Sequence, residues 1–348
     1  MIFSFGLKKN YESLNKIEIN RKSLLDNYDF YKKISRNEIW PVLKSNAYGH
    51  GIREVTKILL ARDFEYFVVD GYQEVLEIRK ITDRPILIIG TILPSNFSKI
   101  NWKNLTIMVQ DEESVEALGK LNKQIKVHLK INTGMNRQGV EMSEVEKIIE
   151  LIKKYPKLEL EGVMSHLAGI DDKKQIKKFK EVKKIAGGVK YFHLGATNGV
   201  GDIIRLGIGL YGLGNEELKP VLSLKTTITN VKRIRKGERV SYGGEFVAKK
   251  NVYVGVIPVG YNECLDRRLS NRGWVKYKNR FYQIAGRVCM NMTVINFDQT
   301  KPELFDEVEV ISNCSDDKNS VKNMAEICET IPYEILVKIN SGIRRTII

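Results

Sequence analysis

Between residues 38 and 212, short runs of β-branched and aromatic residues alternate with longer stretches whose apolar positions recur every three or four residues. That alternation is the signature of repeated βα units around a parallel sheet. The runs Ile39–Lys44, Tyr66–Val69, Ile86–Ile89, Leu105–Val109, Lys126–Ile131, Leu160–Ser165, Tyr191–Leu194 and Ile203–Gly207 predict strands, and eight of them suggest a closed barrel. Segments such as Ser114–Leu121 and Glu144–Lys154 predict the intervening helices. After Gly214 the texture changes: Val221–Asn230, Asn251–Val259, Trp274–Tyr277, Phe281–Ala285, Val288–Asn296 and Glu307–Ile311 read as strands separated by turn residues. Only Val321–Cys328 and the run after Ile331 look helical there. The expected class is α/β: an eight-stranded (β/α)8 TIM-type barrel over residues 1–214, followed by a mostly-β domain over 215–348. The residues up to about 20 are left the alternative of packing with the β domain.

Composition narrows the function more than the fold. With 57 Lys plus Arg against 42 Asp plus Glu the formal charge is +15, which raises polyanion binding as a candidate. The lysines, however, are spread through helix-like stretches such as 173–190, and no basic run is interleaved with stacking aromatics. A solvated surface is the reading, with no nucleic acid as partner. Cys264, Cys289, Cys314 and Cys328 are scattered without a CxxC pair or a matching histidine spacing, which points to no metal site, no disulfide framework and a reducing cytoplasmic setting. The opening Met1–Leu7 is too short for a secretory apolar core, and no apolar run approaches the roughly 18 residues of a membrane span. No membrane association is expected.

The sharpest local signal is Val42-Leu43-Lys44-Ser45-Asn46-Ala47-Tyr48-Gly49-His50-Gly51, a strand ending in a lysine that passes into a polar, glycine-containing loop. Side chains at the carboxyl ends of barrel strands point into the active-site mouth. A lysine there is partly desolvated, which favours the neutral, nucleophilic amine and chemistry on an aldehyde. Position alone serves equally well a lysine that merely extends its amine to water.

The block Lys44–Gly51 resembles the cofactor-lysine signature of the alanine racemase family, and further blocks of that family follow in order. They are Lys130-Ile131-Asn132-Thr133-Gly134-Met135-Asn136-Arg137, Ser165-His166, Arg205–Gly212, Val240-Ser241-Tyr242-Gly243, Pro258-Val259-Gly260-Tyr261 and Gly286-Arg287-Val288-Cys289-Met290. The resemblance spans about Ile17 to Arg345, and the ordered series is far more specific than any one block.

The resemblance implies a homodimer in which each active site takes residues from both subunits, with pyridoxal 5'-phosphate carried by Lys44. It implies a two-base racemisation of alanine, supplying D-alanine for peptidoglycan, in which Lys44 serves one face of the substrate and Tyr242 of the partner's β domain the other. His166 and Arg205 match positions linked to that tyrosine, and Arg205 matches the arginine that faces the pyridine nitrogen. Tyr48, Thr197, Gly207 and Ile208 match phosphate-binding positions, and backbone amides at a βα turn suit that task. Arg137 matches the residue beside the phenolic oxygen and the substrate carboxylate. Lys130 matches a lysine that many members carry carbamylated, and Tyr261 and Met290 match the lining of the substrate entrance. Read without the family, Tyr242 suits a buried aromatic with a satisfied hydroxyl, Arg205 a surface ion pair, and Met290 core filler.

Three departures lie near the chemistry. Asn291 and Asn132 each replace an aspartate usual in the family, and Ser341 falls where many members have a tyrosine by the phosphate. They leave the Lys44–Tyr242 pair intact and leave room for serine or another small amino acid as substrate. Two rivals remain at this level: a barrel decarboxylase, which would place a carboxylate and not Arg205 at the pyridine nitrogen, and a barrel-only cofactor carrier, which leaves the β domain and Tyr242 without a task.

Overall fold

The computed structural model describes residues 11–35, 37–197 and 200–348. The chain divides into two units, one running from Lys22 to Leu218 and one combining the residues up to Arg21 with Lys219–Ile348.

In the first unit, the strands Phe67–Val69, Ile86–Ile88, Leu105–Val109, Ile125–Lys130, Leu158–Ser165 and Tyr191–Leu194 pair in parallel, each with the next in sequence. Ile203–Leu206 pairs in parallel with Glu38–Pro41. A parallel bridge between Val42 and Val68, with Leu43 N donating to Val68 O at 2.8 Å, joins that pair to the first strand of the series. Asp202 N donates to Phe192 O at 3.2 Å on the opposite side, closing the (β/α)8 ring. Phe67–Val69, Ile86–Ile88 and Leu105–Val109 are buried at every position, as expected of parallel strands covered on both faces.

The surrounding helices bury one stripe each; Val145–Lys153, for instance, buries Val145, Ile148, Ile149 and Ile152. The helix expected from Ser114 starts earlier, at Glu112, because Asp111 accepts from Ser114 N at 2.7 Å and caps it. Such a cap contributes about 1 kcal/mol. The Ile39–Lys44 strand is shorter than expected, ending at Pro41, and Lys44 opens a separate turn.

The second unit is built on a nine-stranded sheet in the order Asn230–Ile234, Val252–Ile257, Thr293–Asp298, Arg280–Ile284, Trp274–Tyr277, Glu307–Ile311, Leu222–Thr227, Lys16–Ile19 and Arg344–Ile347. Lys16–Ile19 lies between its neighbours, antiparallel to Leu222–Thr227 and parallel to Arg344–Ile347. Neither of these terminal strands was singled out by sequence pattern.

Two expected strands are corrected. Val221–Asn230 divides at Ile228, where the chain exchanges hydrogen bonds with Phe305 and Asp306 before Thr229 N turns to Val256 O, so Asn230–Ile234 pairs with a different strand. Val288–Asn296 begins only at Thr293, because Cys289 N closes a turn on Met292 O. Among the described residues no helix is long and apolar enough to cross a membrane.

Candidate active site

Lys44 follows the first barrel strand and is half-buried. The four residues after it, Ser45 to Tyr48, all have φ between 51° and 55°, forming a left-handed turn that ends on Gly49 at φ 79°. L-residues avoid this conformation, so surrounding bonds must hold it. Glu74 supplies one: its carboxylate accepts from Ser45 N at 2.5 Å and from Asp70 N at 2.8 Å. Asn46 Oδ1 accepts from Ile52 N at 2.9 Å, tying the turn to the next helix. The lysine is therefore presented on a braced segment and not on a loose loop.

Around it, at the carboxyl ends of other strands, stand Lys130, His166 and Arg205, with Arg137 on the loop after Lys130. Arg205 is only 3% exposed and its bonds go to main-chain carbonyls: Nε to Gly195 O at 3.0 Å and Nη2 to Ser165 O at 2.6 Å, with a further Nη2 bond to Gly195 O. This removes the surface ion-pair reading. Among the described residues Nη1 has only a long contact with Met164 Sδ at 3.9 Å, which leaves one edge of the guanidinium to meet another group. Burial lowers its pKa to about 10, which still keeps it cationic near neutrality.

Lys130, 6% exposed, is pushed down to about 7 by burial and then by the charges of Arg205, Arg137 and Lys44. His166 is pushed down to about 3 by burial and by Arg205, Lys130, Arg137 and Lys44, so its imidazole is neutral. The cations acting on His166 and Lys130 describe one cationic mouth, suited to an anionic ligand.

The strand ends bearing these groups are fastened to one another. Ser165 Oγ donates to Ile131 O at 2.7 Å and lies 2.9 Å from Thr133 Oγ1. Gln175, on the Asp172–Ile185 helix, bonds Thr133 Oγ1, His166 O and Ala168 N. Asn132 shapes the loop leading to Arg137, its Oδ1 accepting from Gly134 N and Asn136 N while Nδ2 donates to Glu141 at 2.6 Å. Its amide is needed to do both; an aspartate would meet Glu141 with like charge.

Opposite, Gly207 and Ile208 open a short helical turn after the last barrel strand. A methyl group on Gly207 would lie 2.7 Å from the Tyr48 hydroxyl, and one on Gly209 would lie 2.8 Å from Thr197 Cγ2. Both glycines thus leave room for neighbouring side chains, Gly207 for the Tyr48 hydroxyl and Gly209 for the Tyr31 ring and the Thr197 methyl. Tyr48 is held by ring packing on Tyr211 at 5.0 Å, and Tyr211 donates to Val42 O at 2.9 Å.

The remaining candidates lie in the second unit. A cleft of about 660 Å³ gathers Tyr242, Tyr261 and Met290 with Arg267 and Arg287. Tyr242 is 73% exposed, Met290 58% and Tyr261 46%, so neither the buried aromatic nor the core-filler reading holds. Ser241 precedes Tyr242 at φ 64°, ψ −177°, a region almost confined to glycine, with its hydroxyl donating to Arg287 O at 2.8 Å. The loops carrying Tyr261 and Met290 are laced by Tyr261 N to Cys289 O at 3.0 Å and Asn262 N to Met290 O at 2.9 Å. Asn291 donates to Glu263 Oε1 at 2.9 Å, and Glu263 Oε2 accepts from Gly260 N. Ser341 is exposed on the loop after the Pro332–Val337 helix. Glu74, Gln175 and Glu263 were not singled out from sequence; their signal would have been a polar residue on an otherwise buried face beside a glycine-rich block.

A half-buried lysine just past the first strand of a (β/α)8 barrel, a buried arginine on the last strand, and a β unit that displays a tyrosine cleft define a two-unit barrel protein with a cationic mouth. The alanine racemase N-terminal domain matches residues 19–215 and the C-terminal domain residues 221–347. The chain belongs to the alanine racemase family, whose members are pyridoxal-phosphate-dependent isomerases. It is 35% identical to an alanine racemase of Carboxydothermus hydrogenoformans, over 94% of this chain and 98% of the relative. The alanine racemase structure of Clostridium difficile superposes with a TM-score of 0.90 at 25% identity, covering 97% of each chain. A Bartonella henselae alanine racemase, solved with covalently bound pyridoxal phosphate, shares the fold at a TM-score of 0.87 and 22% identity, covering 97% of this chain and all of the other.

Proposed function

We propose that the protein interconverts L- and D-alanine by a two-base mechanism, with pyridoxal phosphate held on Lys44, and that Tyr242 of a second copy completes each site. The residues fit that cofactor. The Lys44 amine is presented on its braced turn, the free Nη1 edge of Arg205 suits the pyridine nitrogen, and the Gly207 cradle with Tyr48, Thr197 and the amides of Gly207 and Ile208 suits a phosphate. Bound there, the cofactor withdraws electron density from the substrate α-carbon and makes its hydrogen acidic.

This chain's residues do the rest. Lys44 takes or returns the α-proton on one face and Tyr242 on the other, since a single base would return the proton to the side it came from. Arg205 donates and does not readily surrender a proton, which keeps the ring nitrogen largely unprotonated and limits side reactions. Arg137 receives the substrate carboxylate. Lys130, brought down to about 7, has the neutral amine that carbamylation requires, and the carboxylate so formed orients Arg137. The observation that carries the reading is the cationic mouth that assembles Lys44, Lys130, Arg137 and Arg205 around His166.

A homodimer is the assembly that the exposed Tyr242 cleft supports, with Tyr261 and Met290 lining the entrance from the β domain, taken as residues 215–348 against a barrel of 1–214 whose first residues up to about 20 pack with the β domain. The cell role is supply of D-alanine for peptidoglycan in the cytoplasm. Incubation with L-alanine followed by chiral analysis tests the activity, with serine run in parallel, and borohydride reduction followed by peptide mapping tests the link. Accumulation of D-alanine and label on Lys44 are expected; label on another lysine or no D-alanine overturns the reading.

A further inference from the structure

The barrel interior beneath Lys130 and Arg205 holds polar groups for which this reaction has no evident use. Glu161, His128 and His193 lie on three neighbouring strands, Leu158–Ser165, Ile125–Lys130 and Tyr191–Leu194, and all three are buried. Glu161 Oε1 accepts from Lys126 Nζ at 2.5 Å, and Oε2 accepts from Tyr66 Oη at 2.7 Å and meets His128 Nε2 at 3.2 Å. His128 Nδ1 lies 2.8 Å from His193 Nε2. The strand makes room for this column: a methyl group on Gly162 would fall 2.5 Å from the His128 ring. Polar groups so placed are costly unless each is satisfied.

The proton positions follow from the chain of bonds. Burial raises the pKa of Glu161, but hydrogen bonds from His128, Lys126 and Tyr66 outweigh it and hold the carboxyl down to about 2, so it has no proton to give. His128 must then donate through Nε2. Burial keeps both imidazoles neutral, against Glu161 in the case of His128 and with Arg205 and Lys130 in the case of His193. A neutral ring has one N–H, so His128 Nδ1 accepts from His193 Nε2, and His193 Nδ1 is bare. That nitrogen is buried and has no protein partner among the described residues. The groups around the column are Arg205 and Lys130 at the mouth end, Lys126, Tyr66 and Tyr191 at the other, and Trp40 beside both rings.

We propose that Glu161, His128 and His193 form a positioning relay in which the Glu161 carboxylate fixes the tautomer of both histidines, so that His193 turns a lone pair and not an N–H toward the Arg205–Lys130 end of the barrel. The reversed tautomer would set an N–H dipole against those cations. The relay thereby carries the sign of a carboxylate from the far end of the barrel to the floor of the mouth without placing a carboxylate there, which would strip Arg205 of its free edge. The tautomer is a property of the chain itself; its effect on the cofactor rests on the function proposed above.

The chain has four histidines, so 15N-histidine spectra of the holoenzyme can be assigned residue by residue. His193 Nδ1 is expected at the unprotonated position throughout the range in which free histidine titrates. In Glu161→Gln the side-chain amide can donate to His128 Nε2; each ring then loses the proton on one nitrogen and gains one on the other, with no net change in charge. His193 Nδ1 should move to the protonated position, and the absorbance–pH curve of the bound cofactor should shift to lower pH. Lys126→Met, which removes an ion pair but leaves the relay, should change neither. A protonated His193 Nδ1 in the wild type, or the same tautomer in wild type and Glu161→Gln, overturns the proposal. If Glu161→Gln fails to fold, the wild-type spectrum and Lys126→Met still decide it. A chain that takes up no cofactor defeats the proposed function while leaving the tautomer result standing.

Discussion

The barrel mouth and the β-unit cleft are opposite kinds of surface. At the mouth, Arg205 is buried on two carbonyls, the Lys44 turn is pinned by Glu74, and the strand ends are stitched through Ser165, Thr133 and Gln175. In the cleft, Tyr242, Tyr261 and Met290 are largely open, although the backbone beneath them is laced as tightly. The mouth is pre-organised for a ligand that sits deep. The cleft is a rigid platform whose side chains gain an apolar environment only when another surface covers them. Tyrosine titrates near 10 in water and burial alone would raise that, so a covering surface must also bring cationic or hydrogen-bonding neighbours that favour the phenolate if Tyr242 is to serve as a base.

The largest expected effect breaks the comparison at the cleft. Tyr242→Phe keeps the ring volume and removes only the hydroxyl, so it should retain cofactor yet lose about 10²–10⁴-fold in racemisation. In deuterated solvent it should exchange the α-hydrogen of D-alanine far faster than that of L-alanine. Equal exchange from both enantiomers would return Tyr242 to a packing role.

Next comes the claim that the cleft is covered by a second copy. A Lys44→Ala chain and a Tyr242→Phe chain, each nearly inactive, should regain activity when mixed and re-equilibrated, to roughly a quarter of the wild-type sites, because in a two-fold heterodimer one site inherits both defects and the other neither. An active monomer in sedimentation under assay conditions would defeat this.

The mouth can be sharpened by pH. Burial and the neighbouring cations bring Lys130 in the folded chain to about 7, below the ordinary lysine value of 10.5 that the unfolded chain keeps. Below about 7 the lysine is charged in both states and the full burial cost is present; between the two values the unfolded chain holds more protons, so stability rises with pH. In carbon-dioxide-free buffer, Lys130→Met should raise the melting temperature most near and below neutrality and flatten that rise. An unchanged slope would show that the amine is not desolvated.

The smallest effect is in the cleft loops. Asn291→Asp would set a second carboxylate against Glu263 Oε1, where Asn291 Nδ2 now donates at 2.9 Å. A loss of about 1 kcal/mol in stability, easing as pH falls, is expected with a modest rise in KM. No change in either would mean that the Asn291–Glu263 bond does not hold the entrance.

Much of the barrel was legible in the chain because parallel strands buried on both faces must be apolar runs, and because the residues that carry chemistry cluster just past their ends. The Lys44 turn, the Arg205 strand and the Tyr242 block all stand out as short polar or glycine-rich interruptions of such runs. Where a run did not correspond to a strand, a tight turn or a nonlocal bond had intervened. Met290 and Cys289 carry apolar side chains, but their carbonyls accept from the Tyr261 loop, and that bond outweighs local β preference.

By itself the sequence determined the repeated βα alternation, the change to β texture after Gly214, and which blocks hold the lysine, the arginine and the tyrosine, since each depends only on residue type and spacing. Tertiary structure alone decided that Lys16–Ile19 is a strand of the second unit, because its partners lie at Leu222–Thr227 and Arg344–Ile347, hundreds of residues away. It alone decided that burial, and then the charges of Arg205, Arg137 and Lys44, push Lys130 down to about 7 and, with Lys130 added, His166 down to about 3. It alone joined Glu161, His128 and His193 into a column. Electrostatics and hydrogen bonding act through space, and the distances that govern them exist only once the barrel has closed.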